Sequence, residues 1–261
     1  MNIEVLLSTM NDGIENIKIN HDFDYLIIHQ VTNGREDEYN DFFNKNISSE
    51  KIRYIQMNRK GLSLSRNLAL KNSVGSFLWV MDDDVVIHDD ALERINSLID
   101  NNASIDVFIL NHSDDMNAKI AVKKARKHNF FSAANISSID MLINRRLIEN
   151  GLVFNEKFGL GTSLPSGEEY IFITDALKKK FCVLQTNLIV SYHPPFSSGL
   201  DFFSSENKIA AKVEMFKCIF GFKGRLLTFA FFIKKFPEYA FSGNFKKVLK
   251  IVLRQALFKY P

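Results

Sequence analysis

The ten residues at 77–86 constrain this chain more than any other segment. They read Phe-Leu-Trp-Val-Met-Asp-Asp-Asp-Val-Val, an apolar run that ends in three consecutive aspartates. A run of this kind is a strand buried on both faces, and its abrupt end puts three carboxylates at one edge of a sheet. Like charges so close raise one another's pKa, so the cluster needs solvent or a divalent cation to offset it. Hard oxygen donors suit Mg²⁺ or Mn²⁺, commonly shared with a phosphate-bearing ligand. The competing reading is a solvated acidic turn after a core strand, and the surrounding sequence has to decide between the two.

Strand-like and helix-like segments alternate around that run. Residues 3–7, 25–28 and 52–55 are expected strands, and Leu62–Asn72 is an expected helix with Gly75 just beyond its end. A second helix is expected from Asp89-Asp90 to about Ile99, with Asp89 as N-cap and Glu93 in its first turns. Residues 106–110 form the next strand. Later come a strand at 139–143, a short helix at 145–150, and a Gly/Ser/Pro loop at 158–167 that leads into a helix from Glu168 to about Lys180. Two further strands are expected at 181–184 and 188–192, and the chain is helical beyond residue 200. Alternation of this kind implies an α/β fold with a mostly parallel, doubly wound sheet, which binds ligands beyond the carboxyl ends of its strands. The aspartates at 82–84 lie at such an end.

The chain has 261 residues, 46% apolar and 24% charged, a globular composition. No signal peptide and no membrane-spanning helix are expected, since no window approaches about 18 uncharged apolar residues. Cys182 and Cys218 stand far apart, which fits reduced thiols in a cytosolic compartment. The net charge of +3 conceals an asymmetry: residues 205–261 carry 12 Lys/Arg against 3 Asp/Glu, and half of the 24 phenylalanines follow residue 200. Within that tail, Phe245, Val248, Leu249, Val252 and Ala256 share one helical face, while Lys246, Lys247, Lys250 and Arg254 gather on the other. Such a helix reads as an interfacial membrane anchor, or else as a packed extension with a solvated basic face. Nucleic acid is not an expected partner, because no recognition module is present.

Five elements stand at strand or helix ends: Ser8-Thr9, the segment Gly-Leu-Ser-Leu-Ser-Arg-Asn at 61–67, Asp82-Asp83-Asp84, Gly167-Glu168-Glu169, and His193 followed by Pro194-Pro195. In this order, over roughly residues 1–200, they resemble family 2 of the GT-A fold glycosyltransferases. The likeness is strongest to the bacterial members that build capsule or lipopolysaccharide. It implies a GT-A, Rossmann-like catalytic domain over 1–204, divided into a nucleotide-binding half (1–110) and an acceptor half (111–204). Residues 205–261 then form a helical, membrane-associated extension.

The resemblance further implies an inverting hexosyl transfer from a nucleotide diphosphate donor, a UDP-sugar first among candidates, to a saccharide or lipid-linked acceptor. Mn²⁺ or Mg²⁺ would be the cofactor, held by Asp84 and His193. Asp82 would contact the ribose or a metal-bound water, with Asp83 beside it, and Arg66 would carry charge near the phosphates or nucleobase. Ser8, Thr9 and Gln30 would line the base and ribose site. Glu169, with Glu168 before it, would be the base that takes the acceptor proton. Ser197-Ser198-Gly199 would close over the diphosphate. The enzyme would work at the cytoplasmic face of the cell membrane. Two other readings are open on the residues alone. One is a phosphohydrolase of the haloacid dehalogenase type with Asp82 as nucleophile and Asp84 as general acid. The other is a non-catalytic membrane adaptor that keeps the fold.

Overall fold

The structure, a computed structural model, describes residues 2–122, 124–195, 203–241 and 245–257. Among these, nine strands form one mixed sheet. They are β1 (Ile3–Met10), β2 (Asp24–Gln30), β3 (Ile52–Met57), β4 (Phe77–Asp82), β5 (Val86–Ile87), β6 (Val107–Ser113), β7 (Arg126–Lys127), β8 (Met141–Asn144) and β9 (Val183–Tyr192). Their order is β3-β2-β1-β4-β8-β6-β9-β5, with β7 paired to β9. The pairs β1–β2, β1–β4, β2–β3 and β6–β9 are parallel; β8 runs antiparallel between β4 and β6.

Strand alternation feeds two cores at once. Phe77, Trp79 and Met81 of β4 face one side, with α1 (Glu36–Asn46) and α3 (Ala91–Asp100) packed over it. Leu78 and Val80 face the other, under α2 (Leu62–Asn72) and α5 (Glu168–Lys178). Full burial of each such side chain stabilises by about 1.5–3 kcal/mol. Trp79 is completely enclosed, and its indole N–H donates to the Ile139 carbonyl at 2.7 Å.

Four local expectations change. The helix α1 has no counterpart among the expected elements, because only Tyr39 and Phe43 of its eleven residues are buried and the apolar period is correspondingly faint. The helix α3 begins at Ala91, so Asp89 does not cap it. Asp90 stands at the N-cap position without a capping hydrogen bond, its carboxylate held by Lys119 at 2.9 Å. The strand expected at 139–143 is preceded by a 3-10 turn at 138–140. The two strands expected at 181–184 and 188–192 are one strand, β9, with its register against β6 shifted between Gln185 and Ile189. Asn111 Nδ2 donates to the Thr186 and Leu188 carbonyls there, satisfying backbone that the irregularity leaves unpaired.

After the short helix α4 (Arg146–Glu149) and α5, the chain closes with α6 (Glu206–Phe220), α7 (Lys223–Lys234), α8 (Phe236–Phe241) and α9 (Phe245–Leu257). These build a small core of their own around Ile209, Val213, Phe232, Val248 and Val252. The Ser205 hydroxyl caps α6 by accepting from the Lys208 N–H at 3.2 Å. Met215 and Ile219 of α6 also enter the core under α5. The contact is close: Gly167 precedes α5 with φ +103°, and a Cβ there would meet Met215 Sδ at 2.7 Å. The face expected on α9 is split. Val248 and Val252 turn into the helical core, while Phe245, Leu249 and Leu253 stay exposed beside Lys246 and Lys250. Lys247 donates to the Ser204 carbonyl, and Ala256 lies outside the described side chains.

Candidate active site

The parallel register brings the ends of β1, β2 and β4 together. Ser8 lies beside Asp82, and Met10 lies beside Gln30. Beyond these ends opens a cleft of about 1370 Å³. All ten residues singled out from the sequence line it: Ser8, Thr9, Gln30, Arg66, Asp82, Asp83, Asp84, Glu168, Glu169 and His193. Several are already engaged. Ser8 Oγ accepts from Ser65 at 2.9 Å, and Gln30 Oε1 accepts from the Gly61 N–H at 2.7 Å, tying β2 to the start of α2. Thr9 Oγ1 donates to Asp83 Oδ2 at 2.5 Å. Ser197, Ser198 and Gly199 lie outside the described residues.

Arg66 is the hinge of the charge arrangement. It is 2% exposed, on the face of α2 that meets the sheet. Its guanidinium donates to Asp82 Oδ1 at 3.1 Å, to Glu168 Oε1 at 3.2 Å and to Ser138 Oγ at 2.7 Å, with Glu169 Oε1 at 3.9 Å. The expected charge for phosphates or nucleobase is therefore engaged in joining the aspartate triplet to the glutamate pair. Burial opposes that charge, yet Asp82, Glu168 and Glu169 together outweigh it and hold Arg66 ionised.

Burial wins at Glu168. Loss of water first, then the Glu169 charge, push its carboxyl up to about 8 against the pull of Arg66. Its Oε2 is buried without a partner. Burial thus favours the protonated form of the interior Glu168, whereas Glu169 is 24% exposed and faces the cleft. Asp83 is raised to about 6, chiefly by burial and further by Asp82 and Asp84, with the Thr9 hydroxyl opposing.

Asp84 is the outermost of the three, 47% exposed, and its Oδ2 lies 3.5 Å from His193 Nε2. Two bonds of about 2.1 Å to one ion can span up to about 4.2 Å, so this pair fits a single Mn²⁺ or Mg²⁺. Among the described residues no cluster of three or more His, Cys, Asp or Glu is arranged to hold a metal. Water and ligand oxygens would have to complete the shell, as is usual for Mg²⁺. Next to His193 stands His112, ring centroids 5.5 Å apart, its Nδ1 held at 3.0 Å from Asp140 Oδ1.

Sequence reasoning missed His112, although it follows the apolar run 107–110 just as the aspartates follow theirs. It also missed Ser138, for which no local pattern exists. Lys208 and Lys212 were assigned only to a basic tail, yet with Lys235 they line the cleft from α6 and the segment after α7.

Residues 25–152 match the family model described as Glycosyl transferase family 2. Among solved structures, this chain is similar to S. aureus TarS 1–349 (13% identity, TM-score 0.59, covering 100% of this chain and 93% of that one). The same protein in complex with UDP-GlcNAc aligns at 12% identity and TM-score 0.59 over 97% and 90% of the two chains. A mannosyltransferase from Pyrobaculum calidifontis, in complex with GDP-Man and Mn²⁺, aligns at 12% identity and TM-score 0.57 over 82% and 63%. Likeness at such identities bears on the fold, and it places the mixed sheet and its flanking helices in the GT-A class. No curated protein matches the sequence. The family match falls on residues 25–152, just under half of the chain, and the structural likeness gives the whole chain a GT-A-like fold around the cleft.

Proposed function

We propose that the enzyme is an inverting, metal-dependent transferase that moves a sugar from a nucleotide diphosphate donor to a saccharide or lipid-linked acceptor. The carrying observation is the cleft itself. The carboxylates of Asp82 on β4 and Glu168 on α5, far apart in sequence, meet there across one buried arginine. The nucleotide would enter over Ser8, Thr9 and Gln30. Asp84 and His193 would hold Mn²⁺ or Mg²⁺, which when bound supplies positive charge against the donor diphosphate. Asp82, fixed by Arg66, would meet the ribose or a metal-bound water, with Asp83 beside it. Glu169 accepts the proton of the acceptor hydroxyl as that oxygen bonds to the anomeric carbon and the bond to the diphosphate breaks. Glu168 and Arg66 position Glu169 and do not themselves meet the acceptor. One relative was solved with UDP-GlcNAc and another with GDP-Man and Mn²⁺, so UDP-sugars come first and GDP-sugars second as candidate donors.

The setting would be surface polysaccharide synthesis, capsule or lipopolysaccharide, at the cytoplasmic face of the membrane. Supporting this are the exposed Phe245, Leu249 and Leu253 with Lys246 and Lys250 beside them on α9. No helix among the described residues is long and apolar enough to cross a membrane. The decisive experiment screens UDP- and GDP-sugars for hydrolysis or transfer with and without Mn²⁺, then identifies the anomer released. Metal-dependent turnover of one donor with inversion supports the reading. Failure of every donor to bind or react with metal present would refute it. A beryllofluoride adduct on Asp82, the analogue of an aspartyl phosphate, would favour the phosphohydrolase instead.

A further inference from the structure

The helix α7 presents two opposed faces. Gly224, Thr228 and Phe232 are buried, and a Cβ at Gly224 would run into the Phe216 carbonyl, so the helix sits flush on α6. On the inner side Phe231 lines the cleft beside Phe216, ring centroids 5.5 Å apart. On the outer side Phe222, Leu226, Ala230 and Ile233 fall within about 80° of one another on a helical wheel. Phe222 is 77% exposed, Leu226 69% and Ile233 73%, and none of them lines the cleft. Large apolar side chains aligned in one exposed stripe mark a docking surface, unlike the same residues scattered singly. The stripe also continues past the helix. Beyond Ile233, exposed Phe236 meets exposed Phe245 edge-on at 5.9 Å, which carries the apolar surface to Leu249 and Leu253 of α9. Before Phe222, exposed Phe131 stacks on Phe220 at 5.8 Å.

Charge says what covers this surface. From Phe222 to Leu257 the sequence holds eight Lys/Arg and one acid, Glu238, which Lys235 engages. Lys223 and Lys234 border the stripe on one side and Arg225 on the other, its guanidinium 5.4 Å from the Phe222 ring centre. A second copy of this surface would set like charges against one another, whereas an anionic bilayer accepts both the apolar side chains and the cations. Twelve residues rise about 18 Å, short of a hydrocarbon core of about 30 Å, so such a helix lies on a membrane and does not cross it. We propose that α7 lies flat in the headgroup region of an anionic bilayer with Phe222, Leu226 and Ile233 inserted, and with Phe236 and the α9 face beside them. Phe231 lines the cleft from the opposite side of the same helix, so the cleft wall stands one helix diameter, about 10–12 Å, from the lipid. A sugar on a lipid headgroup can enter the cleft while its tails stay in the bilayer, which assigns the acceptor to the lipid-linked class. That assignment deepens the proposed function and rests on it; the docking of α7 does not.

The test sediments the full chain with vesicles of phosphatidylcholine, alone or with phosphatidylglycerol replacing part of it. Wild type should bind the anionic vesicles, and less so at high salt. Leu226→Glu with Ile233→Glu should lower the partition coefficient about tenfold or more, with the melting temperature and donor hydrolysis in solution unchanged. A second readout locates the helix. Trp79 is the sole tryptophan and is fully enclosed, so in Leu226→Trp any emission quenched by brominated lipid reports insertion of α7. Undiminished sedimentation of the Glu variant overturns the proposal, as does a Leu226→Trp emission that brominated lipid leaves unquenched. Loss of binding confined to Leu249→Glu with Leu253→Glu would leave α9 as the anchor and overturn it too. A lipid-free oligomer that dissociates in Leu226→Glu, without vesicle binding in wild type, assigns the stripe to a second copy instead. Vesicle binding as expected but no turnover of any donor refutes the transferase reading and leaves the docking surface standing.

Discussion

Replacing Arg66 by methionine tests the charge arrangement at its centre. Methionine keeps an unbranched stem over Phe154 but removes the donors to Asp82, Glu168 and Ser138. At pH 6 burial keeps Glu168 largely protonated, so the loss is an ion-paired hydrogen bond to partly exposed Asp82 and weaker bonds from the same guanidinium to the uncharged Glu168 carboxyl and Ser138 hydroxyl. Hydrogen bonds to charged groups are worth about 1.5–3 kcal/mol, and removing the unpartnered Arg66 Nε returns part of that. The expected cost is about 2–3 kcal/mol, or roughly 5–10 °C in Tm for a chain of this size. The pH dependence is sharper. Glu168 is raised from 4.5 to about 8 in the folded state, so its ionisation opposes folding. Its contribution is most favourable below pH 4.5, declines as pH rises toward 8, and levels off above. Arg66 is the group pulling that pKa down. Without it the levelling comes later, and the variant goes on losing about 1.4 kcal/mol per pH unit above pH 8. Urea melts of both proteins between pH 6 and 9 should show a gap that is constant to about pH 7.5 and then widens. A gap that stays level or narrows by pH 9 would show that Arg66 does not sustain the Glu168 charge.

Other consequences follow from the same geometry. Gly167→Ala combines a left-handed backbone with a Cβ 2.7 Å from Met215 Sδ. It should cost about 2–4 kcal/mol in denaturant melts, part of it recovered when Met215→Ala is added; a cost below 0.5 kcal/mol would contradict the seating of α6. Asp84→Ala should abolish metal-dependent donor turnover, and full activity would remove the assigned cation site. Glu169→Gln should lower kcat about 10²–10⁴-fold with donor binding retained, and an equal loss in Glu168→Gln alone would exchange the two roles. Leu249→Glu with Leu253→Glu should cut sedimentation with anionic vesicles and leave the melting temperature unchanged, whereas undiminished sedimentation would end the anchor reading of α9.

Strands β1, β2, β4 and β6 were legible because their apolar runs are continuous and their ends abrupt; the two-residue β5 and β7 leave no such run, and β9 reads as two strands. The site was legible for the same reason, since strand ends place Ser8, Asp82 and His193 before any contact is known. What the sequence concealed depended on distance. Nothing local in Leu62–Asn72 says that Arg66 reaches Glu168, 102 positions away, and nothing near Gln30 says that its carbonyl anchors Gly61. The α9 wheel misled because it presumes one partner for the apolar face. The packing supplies a core to Val248 and Val252 and leaves Phe245 and Leu249 outside it.

The placement of β8 has a bearing on how the chain is made. β6 leaves the ribosome before β8, yet it is β8 that pairs with β4, through Phe77, Leu78 and Trp79. Until residue 144 has been synthesised, the most apolar strand of the protein keeps one side of its backbone unpaired, a template for association with a neighbouring chain. A fragment ending near residue 110, just after β6 begins, freezes that exposed edge in place and should precipitate. Extending the fragment beyond Asn144 closes it.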